Sequence, residues 1–290
     1  ERDNAAFTEQ EYDWDRYVDY LHGQVKELVT NYGKLDILWF DFSYRQFTGE
    51  KWRATELVKM VREHQPDVLI DNRLGGHMHR AQPEYFSGDF AGPEQGVPRK
   101  RMVDETGRPM PWEACMTLNN SWGYNAMDHD WKPSKDVIRT LVNCVSKGGN
   151  LLVNVGPDAH GRIPEPSHRI LREVGAWLER NGASIYGCGP ADMPKPEWGR
   201  FTSDSTTLYA HVMEQVMGHI TLPNLRDKVT RAKRLADGAE VILTEFWNAE
   251  VDTFDEPDDI FMAFGRPVQH TYPLPDPIDT VVALRLRDAI

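Results

Sequence analysis

Two polar side chains, Asp41 and Arg73, end short apolar segments of the sequence. Residues 35–41 are mostly apolar and end at the carboxylate, and residues 67–73 are apolar at their centre and end at the guanidinium. Such runs are typical of buried parallel strands, and (β/α) barrels carry catalytic groups at the carboxyl ends of their strands. The pattern predicts a functional role for Asp41, although a strand-end Asp can also be a helix cap or a structural hydrogen-bonding partner.

A second acid near Asp41 would allow paired-carboxylate chemistry. Residues 74–110 are rich in Gly, Pro and charge, and a loop of this length is more often functional than decorative. Retaining cleavage of a glycosidic bond uses two carboxyl groups about 5–5.5 Å apart, one as nucleophile and one as proton donor and acceptor. The candidates for the second group are Glu84, Asp89, Glu94, Asp104 and Glu105 on the loop and Glu113 after it. Spacing alone does not choose among them.

Alternating helix and strand patterns position these residues. Apolar residues at three- and four-residue spacing predict helices over residues 13–33, 52–64 and 167–181 and a further helix from Ser134 to Gly148-Gly149. Short apolar runs predict strands over residues 35–41, 67–73, 112–118 and 150–155. This alternation implies parallel strands joined by helices, an α/β arrangement over residues 1–187. Short alternating runs from about residue 185 predict a small antiparallel β-sandwich over residues 188–290.

Composition excludes several classes of function. Lys plus Arg is 33 and Asp plus Glu is 45, so the net charge is −12, which argues against broad binding of nucleic acid or an anionic membrane. The absence of a run of about 18 apolar residues predicts no transmembrane helix. Three cysteines form an odd, sparse set and are expected to be free thiols (Cys115, Cys144, Cys188). His77 and His79 lack a third ligand at metal spacing and are interpreted as loop histidines.

Several motifs follow one another in order between residues 14 and 187: Trp39-Phe40-Asp41, Asp71-Asn72-Arg73, Gly88-Asp89-Phe90-Ala91-Gly92-Pro93-Glu94, Trp112-Glu113, Ser121-Trp122-Gly123-Tyr124 and the run at residues 145–157. In this combination the chain resembles the family 29 glycoside hydrolases, the retaining α-L-fucosidases. The resemblance implies hydrolysis of α-L-fucose from a fucosylated oligosaccharide or glycoconjugate, with no cofactor and no metal. Another retaining glycosidase on a similar barrel would turn over a galactoside or xyloside instead.

The resemblance also implies roles for single residues. The family's nucleophile falls on Asp41, and the pattern Asp-Phe-x-x-x-Glu places the acid/base on Glu94. Glu113 is the rival, although it can equally anchor a strand end. Arg73 matches a fucose-contacting cation that would also stabilise the charge of Asp41, or it forms an ordinary ion pair. Trp39 and Trp122 match aromatic residues of the sugar pocket, or belong to the core.

The position of Asp41 in the chain carries one further expectation. In this family about half of the barrel precedes the nucleophile strand, whereas 34 residues precede residue 35 here. The resemblance therefore implies a partial (β/α)8-like TIM barrel that lacks its N-terminal strands, followed by the β-sandwich. A longer protein is the favoured explanation; a partner chain that completes the barrel or self-association of a half-barrel are the others. The alternative function is a catalytically weak or inactive fucose-binding or assembly fragment.

Overall fold

The computed structural model describes residues 13–41, 43, 46–76, 78, 85–104, 106–216, 220–244, 258–265 and 273–287. Contacts between residues divide the chain into two compact units. The first unit is Glu1–Gly92 with Met102–Pro111, and the second is Pro93–Arg101 with Trp112–Ile290. Each unit has its own secondary structure and its own apolar core.

The first unit contains helices α1 (Trp14–Asn31) and α2 (Ala54–His64) and the short parallel strands β1 (Ile37–Leu38) and β2 (Leu69–Ile70). Helix α1 begins after Asp13, whose carboxylate accepts a hydrogen bond from the backbone N–H of Arg16 at 3.0 Å. The apolar stripe of α1 shares one core with α2 and β2, in which Val29, Leu57 and Ile70 are buried. This core holds the strand ends that carry Asp41 and Arg73.

One face of the β1–β2 pair is open. Ile37 and Leu69 are neighbours in the register and are 52% and 49% exposed, whereas Val68 and Ile70 are buried. Strand side chains alternate between faces, so one face packs on the helices and the other meets solvent. Nothing in the described part of the chain covers the second face.

The second unit begins with a parallel arrangement. It contains strand β3 (Glu113–Thr117), helix α3 (Ser134–Val145), strand β4 (Asn150–Asn154) and helix α4 (Glu165–Asn181). The two strands pair in parallel from Glu113 opposite Asn150 to Thr117 opposite Asn154. Ile138 of α3 and Trp177 of α4 belong to one buried cluster. Leu152 of β4 is 44% exposed, so this strand also has an open apolar position.

Antiparallel strands form the C-terminal part of the second unit, as the sequence predicts. One sheet runs in the order β5 (Gly189–Pro190), β6 (Gly199–Ser203), β7 (Thr207–Val212), β12 (Thr280–Leu286) and β9 (Val229–Arg234), and the other in the order β10 (Ile242–Thr244), β11 (Ile260–Ala263) and β8 (Ile220–Leu222). Side chains of both sheets share one apolar core. A mixed α/β chain with a C-terminal antiparallel part is thus confirmed, and the domain limits at residues 187 and 188 stay a prediction.

A buried polar chain crosses the five-stranded sheet. His211 Nδ1 lies 2.7 Å from Asp279 Oδ2, and His211 Nε2 lies 3.0 Å from Thr202 Oγ1. The Thr202 hydroxyl in turn donates to the carbonyl of Ser184 at 2.8 Å. All four residues are almost completely buried. Because buried polar groups are costly without partners, this chain fixes β6, β7 and the residue before β12 to the segment that follows α4.

None of the helices that the structure describes is long and apolar enough to cross a membrane.

The three cysteines are free, as predicted; Cys115 and Cys144 are buried and Cys188 is partly buried. Burial raises the pKa of the Cys144 thiol to about 12, so this group stays protonated and packs as an apolar side chain.

Candidate active site

Asp41 and Arg73 form an ion pair beyond the ends of β1 and β2. Arg73 Nη1 donates to Asp41 Oδ1 at 2.8 Å. The Arg73 side chain is only 5% exposed, whereas that of Asp41 is 55% exposed. The structure therefore places a buried, fixed cation behind an accessible carboxylate. A guanidinium is always charged and donates in a rigid plane, so it both orients the carboxylate and stabilises its negative charge.

The indole of Trp39 completes this group. The Arg73 guanidinium carbon lies 4.7 Å from the centroid of the Trp39 ring, within the range of a cation–π contact. Arg73 Nη2 donates to the carbonyl of Gly92 at 3.1 Å, and the Gly92 N–H donates to Asn72 Oδ1 at 3.2 Å. Side chains predicted from separate motifs thus meet around one guanidinium. An apolar ring beside a carboxylate is a surface suited to the face of a sugar.

Asp71 supports this group from within the core. Its Oδ1 accepts from the backbone N–H of Phe40 at 3.0 Å, one residue before Asp41, and its Oδ2 lies 3.9 Å from Arg73 Nε. Asp71 is completely buried, and burial raises the pKa of its carboxyl to about 7, against the lowering effects of the Phe40 N–H and of Arg73. In the sequence Asp71 stands out only as part of a motif, because nothing local distinguishes a buried acid from an exposed one.

The Asp71 carboxyl makes stability depend on pH. Its pKa rises from 3.8 in a model peptide to about 7 in the folded chain, so the folded state holds the proton over this interval and the unfolded state does not. The contribution of this proton to stability is present below pH 4 and is lost as pH rises through 7. The loss is at most about 4 kcal/mol. Asp71→Asn removes the titration and keeps an acceptor for Phe40.

Urea unfolding of the native chain and of Asp71→Asn at pH 5 and pH 8 tests this expectation. The variant is expected to gain stability relative to the native chain at pH 8 compared with pH 5. Subtracting the two curves cancels the contributions of all other titrating groups. A constant difference between the two chains at both pH values would show that burial does not raise the pKa of Asp71.

Two acids of the long loop serve local structure. Asp89 Oδ2 accepts from the N–H of Ile70 at 2.7 Å and pairs with Arg62. Asp104 Oδ1 accepts from Thr106 and from the N–H of Arg108, and these bonds lower the pKa of its carboxyl, above all the bond from the Thr106 hydroxyl. A carboxyl stabilised as an anion is a poor proton donor, so Asp104 does not fit the acid. Two further candidates, Glu84 and Glu105, lie outside the described residues.

Glu94, the candidate acid/base, belongs to the second unit. Its backbone pairs in parallel with Cys115 of β3: the N–H of Cys115 donates to the Pro93 carbonyl at 3.0 Å, and the N–H of Gln95 donates to the Cys115 carbonyl at 2.8 Å. The Glu94 side chain is partly buried. Backbone hydrogen bonds to β3 thus fix the residues on both sides of Glu94.

Glu113, the rival acid, is the first residue of β3. Burial raises the pKa of its half-buried carboxyl, as an acid that must hold a proton requires. The position of Glu113 in β3 argues against this role. Glu113 opens a parallel strand, whereas catalytic groups of (β/α) barrels lie at the carboxyl ends.

Trp122 lies on the loop that follows β3. The residue is 41% exposed, and its carbonyl accepts from Asn154 Nδ2, at the end of β4, at 2.7 Å. A Cβ on Gly156 would lie 2.7 Å from the carbonyl carbon of Gly123, so only glycine permits this close approach of the two loops. Asn154 and Gly156 thus hold the backbone beside Trp122.

Among the described residues, no group of three or more His, Cys, Asp or Glu side chains could hold a metal ion. His77 and His79 lie outside those residues.

The parallel strands, with an accessible carboxylate, a buried guanidinium and an indole gathered at one strand end, are features of the glycoside hydrolase class. A model of the family described as Alpha-L-fucosidase matches residues 2–183. The chain therefore belongs to the α-L-fucosidases, glycoside hydrolase family 29, as the motifs indicate.

Relatives with known sequence or structure cover this chain well but are longer. An α-L-fucosidase of Dictyostelium discoideum is 30% identical over 207 residues, which are 68% of this chain and 42% of that protein. Alpha-L-fucosidase isoenzyme 1 from Paenibacillus thiaminolyticus is 55% identical with a TM-score of 0.90, and the match covers 99% of this chain and 66% of that one.

A further solved structure shares the fold. A family 29 α-L-fucosidase from Bacteroides thetaiotaomicron, captured as a covalent intermediate with 2-fluoro-fucosyl fluoride, is 25% identical with a TM-score of 0.77 over 94% of this chain and 62% of that one. The chain thus spans about two fifths of the length of the first curated relative and about two thirds of the solved ones.

Proposed function

We propose that the chain provides the catalytic carboxylates of a retaining α-L-fucosidase, which releases terminal α-L-fucose from fucosylated glycans by double displacement. The observation that carries the proposal is the accessible Asp41 carboxylate bonded to the buried Arg73 beside the Trp39 ring. Membership of the α-L-fucosidase family is the reason for proposing fucose as the sugar. Arg73, Trp39 and Trp122 are proposed as fucose contacts.

The reaction takes two steps. An Asp41 oxygen attacks the anomeric carbon of fucose, and the bond to the leaving oxygen breaks while Glu94 gives that oxygen its proton. The product is a fucosyl ester of Asp41. Glu94, now ionised, takes a proton from water, and the water oxygen attacks the same carbon from the opposite side. Fucose leaves with its configuration retained, and Asp41 is free again.

Arg73 favours each step through its fixed position. Its hydrogen bond to Asp41 Oδ1 directs the other carboxylate oxygen away from the guanidinium, and its burial keeps the guanidinium fixed behind the accessible carboxylate. When Asp41 becomes an ester its charge is lost, and when the ester breaks the charge returns. A preorganised cation stabilises that returning charge without reorganisation of solvent.

The parallel strands are proposed to belong to a (β/α)8-like barrel followed by a β-sandwich. The open apolar side chains of Ile37, Leu69 and Leu152 support this, because the interior of such a barrel is filled by apolar side chains from every strand. Further strands from a longer protein, from a partner chain or from a second copy of this chain would cover these positions. The same open positions favour the alternative, that this chain alone binds fucose but turns over weakly or not at all.

Hydrolysis of an aryl α-L-fucoside followed by ¹H NMR tests the proposal. The first sugar released is expected to be α-L-fucose, which later equilibrates with the β form; first release of β-L-fucose would exclude a retaining mechanism. An aryl galactoside and an aryl xyloside serve as controls for sugar specificity. Fucose binding without turnover would identify the alternative function.

A further inference from the structure

Three segments of the first unit enclose Asp71. Its own segment continues β2, the end of β1 bonds to its carboxyl group, and residues 86–92 pair with it in parallel through Phe90. A Cβ on Gly88 would lie 2.1 Å from the Asp71 carbonyl oxygen, and Gly88 has a φ of +77°, so only glycine permits this close approach. The fold therefore keeps an acid at a strand end completely buried.

The two carboxyl oxygens of Asp71 face different groups. Oδ1 accepts from the Phe40 N–H at 3.0 Å, which fixes the backbone directly before Asp41. Oδ2 has no partner within hydrogen-bond distance in the described part of the chain and lies 3.9 Å from Arg73 Nε. A neutral carboxyl keeps an oxygen that accepts, so a proton on Oδ2 leaves the bond from Phe40 intact.

Two carboxyl groups approach the same guanidinium. Arg73 Nη1 donates to Asp41 at 2.8 Å and Nη2 donates to the Gly92 carbonyl at 3.1 Å, while the Nε side faces Asp71. A neutral Asp71 leaves the charge of Arg73 to Asp41. An ionised Asp71 attracts the same cation over a short distance, in a buried place where water screens this attraction little. The ionised forms of the two acids therefore compete for Arg73.

The surroundings of Asp71 favour its neutral form. Burial is the main cause that raises the pKa of its carboxyl to about 7; the N–H that it accepts and the charge of Arg73 lower this pKa, and the charge of Asp41 raises it. Asp89, on the third enclosing segment, pairs with Arg62 of α2, so its charge is compensated there.

The effect of Asp41 on Asp71 is reciprocal. Because the charge of Asp41 raises the pKa of Asp71, an ionised Asp71 disfavours the charge of Asp41 by the same factor. Formation of the fucosyl ester removes the charge of Asp41, so it lowers the pKa of Asp71. Breakdown of the ester returns that charge, and part of the coupling appears in the rate because the charge develops as the bond breaks.

We propose that Asp71 is a positioning residue for the nucleophile: its neutral carboxyl fixes the backbone before Asp41 and leaves the charge of Arg73 to Asp41, and its ionisation slows breakdown of the fucosyl ester. Asp71 acts only through Phe40 and Arg73. The proton that leaves it goes to solvent and takes no part in the two displacement steps. The inference rests on the proposed fucosidase function, since it concerns the same ester.

An aryl α-L-fucoside of low leaving-group pKa isolates the breakdown of the ester, because the second step then sets kcat. The attacking water gives its proton to ionised Glu94, so the rate of this step rises with pH and then stays level. A fall in kcat at higher pH therefore has another source. The ratio of the native kcat to that of Asp71→Asn is expected to fall about fivefold or more between pH 5 and pH 8, because the amide accepts from Phe40 and does not ionise.

Two further variants separate this effect from a loss of structure. Asp71→Ala removes the acceptor for Phe40 and is expected to lower kcat at both pH values, a loss that Asp71→Asn restores. Asp89→Asn is the matched control, since Asp89 also accepts a backbone N–H of this strand pair, that of Ile70 at 2.7 Å, but pairs with Arg62. The ratio of the native kcat to that of Asp89→Asn is expected to be the same at both pH values. A constant ratio for Asp71→Asn, or an equal fall for Asp89→Asn, would overturn the positioning role.

NMR of the Arg73 side chain tests the same contact without turnover. Its ¹⁵Nε signal is expected to shift with pH around a midpoint near 7 in the native chain and to lose this shift in Asp71→Asn. Asp41→Asn, which removes the charge of Asp41 as the ester does, is expected to move the midpoint to lower pH. A signal that does not follow Asp71, or a midpoint that Asp41→Asn leaves in place, would overturn the inference. If the native chain turns over no fucoside, the proposed function fails and this titration alone decides the role of Asp71.

Discussion

Replacement of Asp41 by Asn is expected to lower kcat/KM for an aryl α-L-fucoside by roughly 10³- to 10⁶-fold, the range found when a catalytic nucleophile is removed. The amide cannot form the fucosyl ester, but its oxygen still accepts the bond from Arg73 Nη1, so the fold is retained. Steady-state kinetics measure the loss, and an unchanged unfolding midpoint shows that the loss is chemical.

Asp36→Asn is the matched control for Asp41→Asn. Asp36 precedes the same strand, and among the described residues its side chain pairs only with the exposed Lys34, at 2.7 Å, so its loss costs a surface ion pair and no activity. 2-Fluoro-fucosyl fluoride, the compound in the Bacteroides complex, gives a second readout: peptide mass spectrometry is expected to find the label on Asp41 and no label in Asp41→Asn. Retention of a tenth of the activity, or a label elsewhere, would remove Asp41 from the nucleophile role.

Much of the architecture could be predicted from periodicity. Apolar spacing gave three helices to within one or two residues, since each buries one stripe against a neighbour. The fourth begins at Ser134 as predicted but ends at Val145, three residues before Gly148. Strand lengths were overestimated: residues 35–41 contain a two-residue ladder, Ile37–Leu38. An apolar run shows which residues avoid water, but only a pairing partner decides how much of the run enters a ladder.

Only part of the candidate site could be predicted from the sequence. Asp41 and Arg73 were predicted as polar ends of apolar runs, and their contact is a consequence of the parallel register of Ile37 with Leu69. Asp71 was not recognised, because its role depends on complete burial and on the Phe40 N–H, 31 positions away. Chain spacing does not encode such a contact; it arises only when two strands are placed side by side.

Removal of the Glu94 carboxyl group tests its role as acid and base. Glu94→Ala is expected to lower kcat/KM for a fucosylated disaccharide by about 10²- to 10⁴-fold, because a sugar alkoxide is a poor leaving group without a proton. With an aryl fucoside of low leaving-group pKa the first step needs no acid, so the fucosyl ester accumulates. Azide, which needs no base, then attacks the ester and is expected to restore turnover.

Formation of the azide product decides whether Glu94 or its rival Glu113 is the acid/base. Attack on the Asp41 ester gives α-L-fucosyl azide in Glu94→Ala, with configuration retained. Glu113→Ala is the matched comparison: Glu113 begins β3, and if it only anchors that strand the variant loses stability but keeps its rate and gains nothing from azide. Azide rescue in Glu113→Ala, with none in Glu94→Ala, would mean that the raised pKa of Glu113 marks the true acid and that its place on the strand was misleading.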